Sequence, residues 1–331
     1  MVSILIPFKN TATYIEECIN SIITQTIKDW EIIAINDHCT DNSLSIIEGI
    51  ALKDKRIKVY TNTGQGIIPA LQMAYAKSNG LFITRMDSDD IMALNRLQVM
   101  TDALKKHGEG HISVGQVNYF SNKGISNGYF KYEQWLNTLT ARGANYSEIY
   151  KECVIPSPCW MVYRTDFELC DAFNPNRYPE DYDLAFRFYK NKLKVIPCNQ
   201  VLLQWRDYDT RTSRTHEHYA QNYFLDIKLY YFLTLEYEQT RPLVLWGAGY
   251  KGKKIAKSLI AKNVTFIWVC DNFKKINTKI YGQELFHFSA LENIKNPQSI
   301  ITVANADAQI EIKSYLHSLE QKVSENYFFF C

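Results

Sequence analysis

Short apolar runs rich in β-branched residues alternate with helix-like stretches through roughly the first hundred residues of the chain. Val2–Pro7 is the first such run, and Thr13–Gln25 follows it with Ile15, Cys18, Ile19, Ile22 and Ile23 at helical spacing. Trp30–Ile35 is a second run, ending at Asn36-Asp37, after which Asp41 or Asn42 can cap a helix towards Lys53. Ile57–Tyr60, Ile67–Lys77 and Leu81–Met86 continue the pattern as strand, helix and strand. Unbroken apolar strands separated by helices predict a mostly parallel sheet with helices on both faces. Ligands of such sheets gather beyond the carboxyl ends of the strands, where Asp37 and Asp87 lie.

The pattern weakens between about 110 and 205. A hairpin is expected around Asn122-Lys123-Gly124, helices near Tyr132–Arg142 and Glu180–Asn191, and a strand over Val195–Gln204. A long aromatic helix is expected over His216–Glu238, and the alternation restarts near 242. At 331 residues the chain is about twice the usual domain size. The expected division is a first domain over 1–215, a connecting helix over 216–240 and a smaller α/β domain over 241–331.

A net charge of +2 argues against a dedicated nucleic-acid partner. The eight cysteines include no CxxC pair, so zinc spacing is absent and a reducing compartment is the simpler expectation. No apolar run approaches the ~20 residues that span a bilayer. Without a basic leader at Met1, a cytoplasmic location is expected, with peripheral association at the inner face of the membrane left open.

Three acidic groups carry the chemistry. Asp87-Ser88-Asp89-Asp90 places three mutually repelling carboxylates directly after an apolar strand, and a hard divalent cation with open positions for phosphate oxygens relieves the repulsion. An acidic turn capping the next helix is the plainer alternative. Asp37 can accept hydrogen bonds from a nucleobase or ribose, whereas Asp41 reads better as a cap. Glu180-Asp181-Tyr182-Asp183 either complements a helix dipole or supplies a base for an acceptor hydroxyl.

In this order, the residues resemble the family 2 glycosyltransferases, inverting enzymes of the GT-A fold. The resemblance runs from Val2-Ser3-Ile4-Leu5-Ile6-Pro7 through Trp30-Glu31-Ile32-Ile33, Asn36-Asp37 and Asp87-Ser88-Asp89-Asp90 to Arg96-Leu97 and Glu180-Asp181, covering about residues 1–210. It implies transfer of a sugar from a nucleotide-diphospho-sugar, a UDP-sugar first, to a hydroxyl of a glycan or glycolipid acceptor in cell-surface polysaccharide synthesis. The resemblance assigns Pro7, Asp37 and Asp87 to the donor nucleotide and Asp89, with Asp87, to Mn2+ or Mg2+. It assigns Asp181 as the general base, so the reaction is a single inverting displacement. Gln204-Trp205-Arg206 and Thr212-Ser213-Arg214 resemble a loop that folds over the diphosphate, making Arg206, Arg211 and Arg214 suitable phosphate partners, and His216 or His218 a further metal ligand. His38 departs from the family, which has an acidic residue there, and this bears on donor-base selectivity.

Leu243–Trp246 followed by Gly247-Ala248-Gly249-Tyr250-Lys251-Gly252 gives strand, GxGxxG and helix in order, with Asp271 about 20 residues on. It resembles a Rossmann-like accessory domain in which Gly247, Gly249, Gly252 and Asp271 bind a nucleotide. About 90 residues are too few for a six-strand dinucleotide fold, so half of one is expected, with Tyr327–Cys331 as its last strand. Two other readings stand beside the transferase: an NAD(P)-dependent enzyme modifying sugar nucleotides through these glycines, and a nucleotide-sugar-binding protein without turnover.

Overall fold

The apolar runs Val2–Pro7 and Trp30–Ile35 form strands buried along their whole length. The computed structural model of the protein describes residues 1–211, 214 and 224–331. β1 (Val2–Phe8) and β2 (Trp30–Asn36) are buried at every position, as strands covered on both faces must be. Helices α1 (Ile15–Ile23), α2 (Ser43–Ala51) and α3 (Ile67–Ala76) connect them to β3 (Ile57–Thr61) and β4 (Phe82–Arg85). α1 turns Ile15, Cys18, Ile19 and Ile22 inward, the spacing of one helix face.

β1 pairs in parallel with β2 on one side and β4 on the other, and β3 extends the sheet beyond β2. Chain progress therefore reverses at β1, which makes its carboxyl end the switch point. Pairing between β1 and β4 stops at Leu5 and Arg85, where the Met86 amide donates to the Leu5 carbonyl at 3.0 Å. Pro7, which has no amide hydrogen, falls beyond that point, where β4 asks nothing of it.

The sheet continues through β5 (Ile91–Met92), α4 (Arg96–His107), β6 (His111–Phe120), α5 (Asn127–Ala141), β7 (Trp160–Tyr163), α6 (Arg164–Leu169), α7 (Glu180–Lys190) and β8 (Lys194–Arg206). Its strand order is β3-β2-β1-β4-β7-β6-β8-β5, with β7 antiparallel to both neighbours and β5 antiparallel to β8. The expected hairpin at Asn122-Lys123-Gly124 is only a turn, with Gly124 at φ +81°. Ser126 accepts a hydrogen bond from the Tyr129 amide and so caps α5, and β6 instead pairs with the distant β7 and β8. A side-chain cap three residues past the turn outweighed the turn signal.

The chain divides into two compact units, Met1–Tyr146 with Val154–Thr215, and Ser147–Cys153 with His216–Cys331. The stretch expected to connect them falls in the second unit, where α8 is described over Leu225–Leu235. After it come β9 (Leu243–Trp246), α9 (Tyr250–Ala261), β10 (Ile267–Cys270), β11 (Lys279–Ile280), β12 (Gln283–His287), β13 (Gln298–Ile301), α10 (Ala306–Ser318) and β14 (Tyr327–Phe329). The strand order is β11-β12-β10-β9-β13-β14, parallel throughout except for β11. Six strands do fit into this short segment, contrary to the length argument, because none exceeds five residues.

The turn after β9 rests on close backbone approach. Gly247 has φ +112°, in the region that favours glycine. A Cβ on Gly252 would lie 2.0 Å from the Gly247 carbonyl oxygen, whereas one on Gly249 would meet nothing within 4 Å. Gly252→Ala is expected to cost about 1–3 kcal/mol. Gly249→Ala should be near neutral, and urea unfolding followed by circular dichroism separates the two.

Candidate active site

Three loops meet at the carboxyl ends of β1, β2 and β4, tied together by short polar side chains. The Thr11 amide donates to Ser43 Oγ at 2.8 Å, and Thr11 Oγ1 donates to Ser88 Oγ at 3.0 Å. Asp41 Oδ1 accepts from the Ser43 amide and hydroxyl, and Oδ2 accepts from the Ala12 amide. Against the effect of burial, these bonds hold the Asp41 carboxyl below its ordinary range and make it a fixture of the loop, while the N-cap position of α2 falls to Asn42, which makes no side-chain cap bond.

Asp37 is buried immediately after β2. Its Oδ1 accepts from Asn62 Nδ2 at 2.7 Å and from the Gly66 amide at 2.9 Å, while Oδ2 faces Lys9 Nζ at 3.4 Å. One oxygen is thus spent on fixing the carboxylate, and the other is turned to the loop after β1. Neighbouring His38 has φ +57° and its Nε2 lies 2.8 Å from the Gly64 carbonyl. Pro7 is buried within β1.

In the acidic cluster, Asp89 and Asp90 are buried and Asp87 is partly exposed. Burial pushes the Asp89 carboxyl up, with Arg211 opposing the shift and Asp87 adding to it. Asp90 is pushed well up by burial and then by Asp89. Asp89 Oδ2 accepts from the Tyr208 hydroxyl at 2.9 Å and Asp90 Oδ1 from the Arg206 amide at 2.8 Å. Among the described residues, Asp90 Oδ2 is buried without a hydrogen bond. Arg206 also donates from Nε to the Asp89 carbonyl at 2.7 Å, pairs with Glu17, and lies between the rings of Tyr14 and Phe120. Arg214 is engaged elsewhere, in a two-pronged pair with Asp207. His216 and His218 lie outside the described residues.

Arg85 joins this cluster to α7, and sequence reasoning missed it. Buried at the end of β4, it donates from Nε to Asp87 Oδ1 at 3.0 Å and from Nη1 to Glu180 Oε1 at 2.9 Å. The signal was present: a cation in a strand as apolar as Phe82–Arg85 needs a buried anionic partner. The same logic applies to fully buried Arg96, which donates to Thr84 Oγ1 at 2.9 Å and to the Arg85 carbonyl at 3.2 Å beneath the cluster.

The acids at the start of α7 divide by partner. Asp183 is paired with Arg187 at 2.8 Å and Arg177 at 3.1 Å, and Glu180 with Arg85. Asp181 makes no ion pair among the described residues, and its Oδ1 accepts the Tyr182 amide at 2.8 Å. Burial, then the charge of Glu180, push its carboxyl up to about 7, against the pull of Arg85. Such a group exchanges protons near neutrality.

In the second unit, the turn Gly247–Gly252 leads into α9, and Asp271 is exposed just past β10. Lys275 Nζ donates to the Ala248 carbonyl at 2.7 Å across the turn.

A sheet that switches direction at β1, with Asp37 and Asp87 just past the ends of β2 and β4, is that of a GT-A type α/β transferase. Residues 3–169 match the family model "Glycosyl transferase family 2". The chain belongs to that family and is a glycosyltransferase. It is 30% identical to Glycosyltransferase GlyG of Streptococcus pneumoniae over 65% of this chain and 73% of that one. It is 27% identical over 62% of its length, and 77% of the other's, to the Escherichia coli protein WfgD, named as a UDP-Glc:alpha-D-GlcNAc-diphosphoundecaprenol beta-1,3-glucosyltransferase. In fold it is similar to residues 1–349 of S. aureus TarS, solved with UDP-GlcNAc, at TM-score 0.53 and 18% identity over 78% of this chain and 71% of that one. Among the described residues, no helix is long and apolar enough to cross a membrane.

Arg85→Met would leave Glu180 and Asp87 without their buried counter-charge and should destabilise the first unit by about 3–5 kcal/mol. Arg85→Met combined with Glu180→Gln should recover part of that loss. Equilibrium denaturation of the parent, single and double variants measures both effects.

Proposed function

We propose that the protein transfers a sugar from a UDP-sugar to a hydroxyl of a glycan or glycolipid acceptor, with inversion, in polysaccharide synthesis. The observation that carries this reading is the division of labour among carboxylates around Arg85. Asp37 is fixed to receive a nucleoside, Asp87 and Asp89 flank the diphosphate position, and among the described residues Asp181 is the acid of α7 that forms no ion pair. WfgD supports the choice of a UDP-sugar and of a lipid-linked acceptor, and TarS supports UDP.

Asp181 takes the proton of the acceptor hydroxyl as the new glycosidic bond forms, and the nucleoside diphosphate departs from the opposite face of the sugar. Arg206 and, after release from Asp207, Arg214 supply positive charge for the departing phosphates. Asp87 uses Oδ1 for Arg85 and Asp89 uses Oδ2 for Tyr208, so each carboxylate retains a second oxygen for a divalent cation. No group of three or more potential metal-ligating side chains is assembled among the described residues. Mg2+ and similar ions are commonly held by one or two carboxylates together with substrate phosphates and water, so this donor set fits. The ion, Mn2+ or Mg2+, would neutralise charge on the leaving diphosphate.

For the second unit we propose a nucleotide- or phosphate-binding turn. The open space over Gly249 and its place at the start of α9 support it, with Gly247 and Gly252 shaping the turn and Asp271 at the next strand end. An NAD(P)-dependent enzyme working through this turn would leave the Asp87–Asp90 cluster and Asp181 without a role. A binding protein without turnover would leave the poised proton acceptor unused.

Asp181→Asn should lower kcat by about 10²–10⁴-fold while donor affinity is unchanged. Because the base must be ionised, transfer by the parent enzyme should rise with pH through about 7 and then level off. Asp89→Ala should abolish the Mn2+-dependent part of UDP binding, measured by calorimetry with and without chelator. Unchanged turnover in the first variant or unchanged Mn2+ dependence in the second overturns the assigned role.

A further inference from the structure

Charge is distributed very unevenly along the chain. The segment Tyr250–Tyr281 contains eight lysines, one aspartate and neither arginine nor glutamate, whereas the whole chain carries +2. The rest of the protein is therefore net negative.

The fold gathers this stretch onto one surface. α9 buries Gly252, Ile255, Ala256 and Leu259, which leaves Tyr250, Lys254, Lys257 and Ala261 as its outward stripe at helical spacing. Lys257 Nζ lies 4.8 Å from the centre of the Tyr281 ring, which seats the β11–β12 turn beside that stripe. The bond from Lys275 to the Ala248 carbonyl brings the loop Asn272–Ile276 to the start of the same helix. Phe273 projects from that loop at 83% exposure, next to Lys274. Opposing charge is sparse: Asp271 is exposed near the loop, and Glu284 faces Lys279 across the hairpin. Among the described residues, Lys253, Lys257, Lys262, Lys274 and Lys279 form no ion pair.

We infer that this lysine surface, with Phe273 at its tip, docks the protein on the anionic lipid headgroups of a bilayer. Lysine is a compact point charge on a long flexible stem, suited to the diffuse field of a charged surface. A site reading individual phosphates or bases draws on arginine forks, and the segment has none. An aromatic ring held out in water among lysines gains by entering the headgroup boundary, while the lysine stems lie along it and keep their charges in water. The inference is independent of the donor chemistry proposed above.

Flotation of the full chain with vesicles tests it. The protein should bind phosphatidylcholine vesicles containing about a third phosphatidylglycerol at low salt, ignore pure phosphatidylcholine, and be released by 0.5 M NaCl, where screening is short-ranged. Replacing Lys254, Lys257 and Lys274 together by Gln should weaken partitioning on the order of a hundredfold, some fivefold per lysine. Phe273→Ala should weaken it several-fold at unchanged salt dependence. Circular dichroism confirms that the variants fold, and the lipid and salt series on the unaltered chain decides the matter without them. Failure to float with anionic vesicles, or equal flotation of the folded triple variant, overturns the inference. So does salt-sensitive binding to a single-stranded oligonucleotide with no binding to vesicles.

Discussion

Two groups of acids, one following β4 and one opening α7, must lie within a few ångströms of each other at one end of a sheet. Left to themselves in a buried site, such carboxylates would take up protons or push the elements apart. Arg85 supplies a buried counter-charge to one acid of each group. Its guanidinium reaches Asp87 with one edge and Glu180 with another, joining residues 95 positions apart in the Arg85–Glu180 pair. The loop after β4 and the start of α7 are therefore tied together by one planar cation whose own backbone is anchored in β4. A lysine at this position would supply the charge but not the two-sided geometry.

The same pairing decides which acid remains available. With Glu180 held by Arg85 and Asp183 by Arg187 and Arg177, Asp181 is, among the described residues, the acid at the start of α7 that forms no ion pair. Its proton affinity follows from opposing neighbours: burial and Glu180 raise it, Arg85 lowers it. A second buried layer lies beneath the donor-side cluster. Asp90 is fixed by the Arg206 amide, and Arg96 is fixed by Thr84 and the Arg85 carbonyl. These groups shape the loop that presents Asp87 and Asp89 rather than facing its open side.

Much of this was legible in the sequence because it depends on local pattern. The β1–β4 alternation, the seating of Asp37 and Asp87 just past strand ends, and the Gly247–Gly252 turn all follow from periodicity and turn chemistry over a few residues. What was not legible depends on pairings between distant segments. Nothing near Phe82–Arg85 says that its arginine meets Glu180, although a cation in an apolar strand announces that a partner exists. Nor does the stretch around Asn122–Gly124 reveal that β6 pairs with β7 and β8, since the cap at Ser126 and a non-local sheet decide it together. The six short strands of the second unit were underestimated for a simpler reason: length sets an upper bound on strand number only when strands have ordinary length.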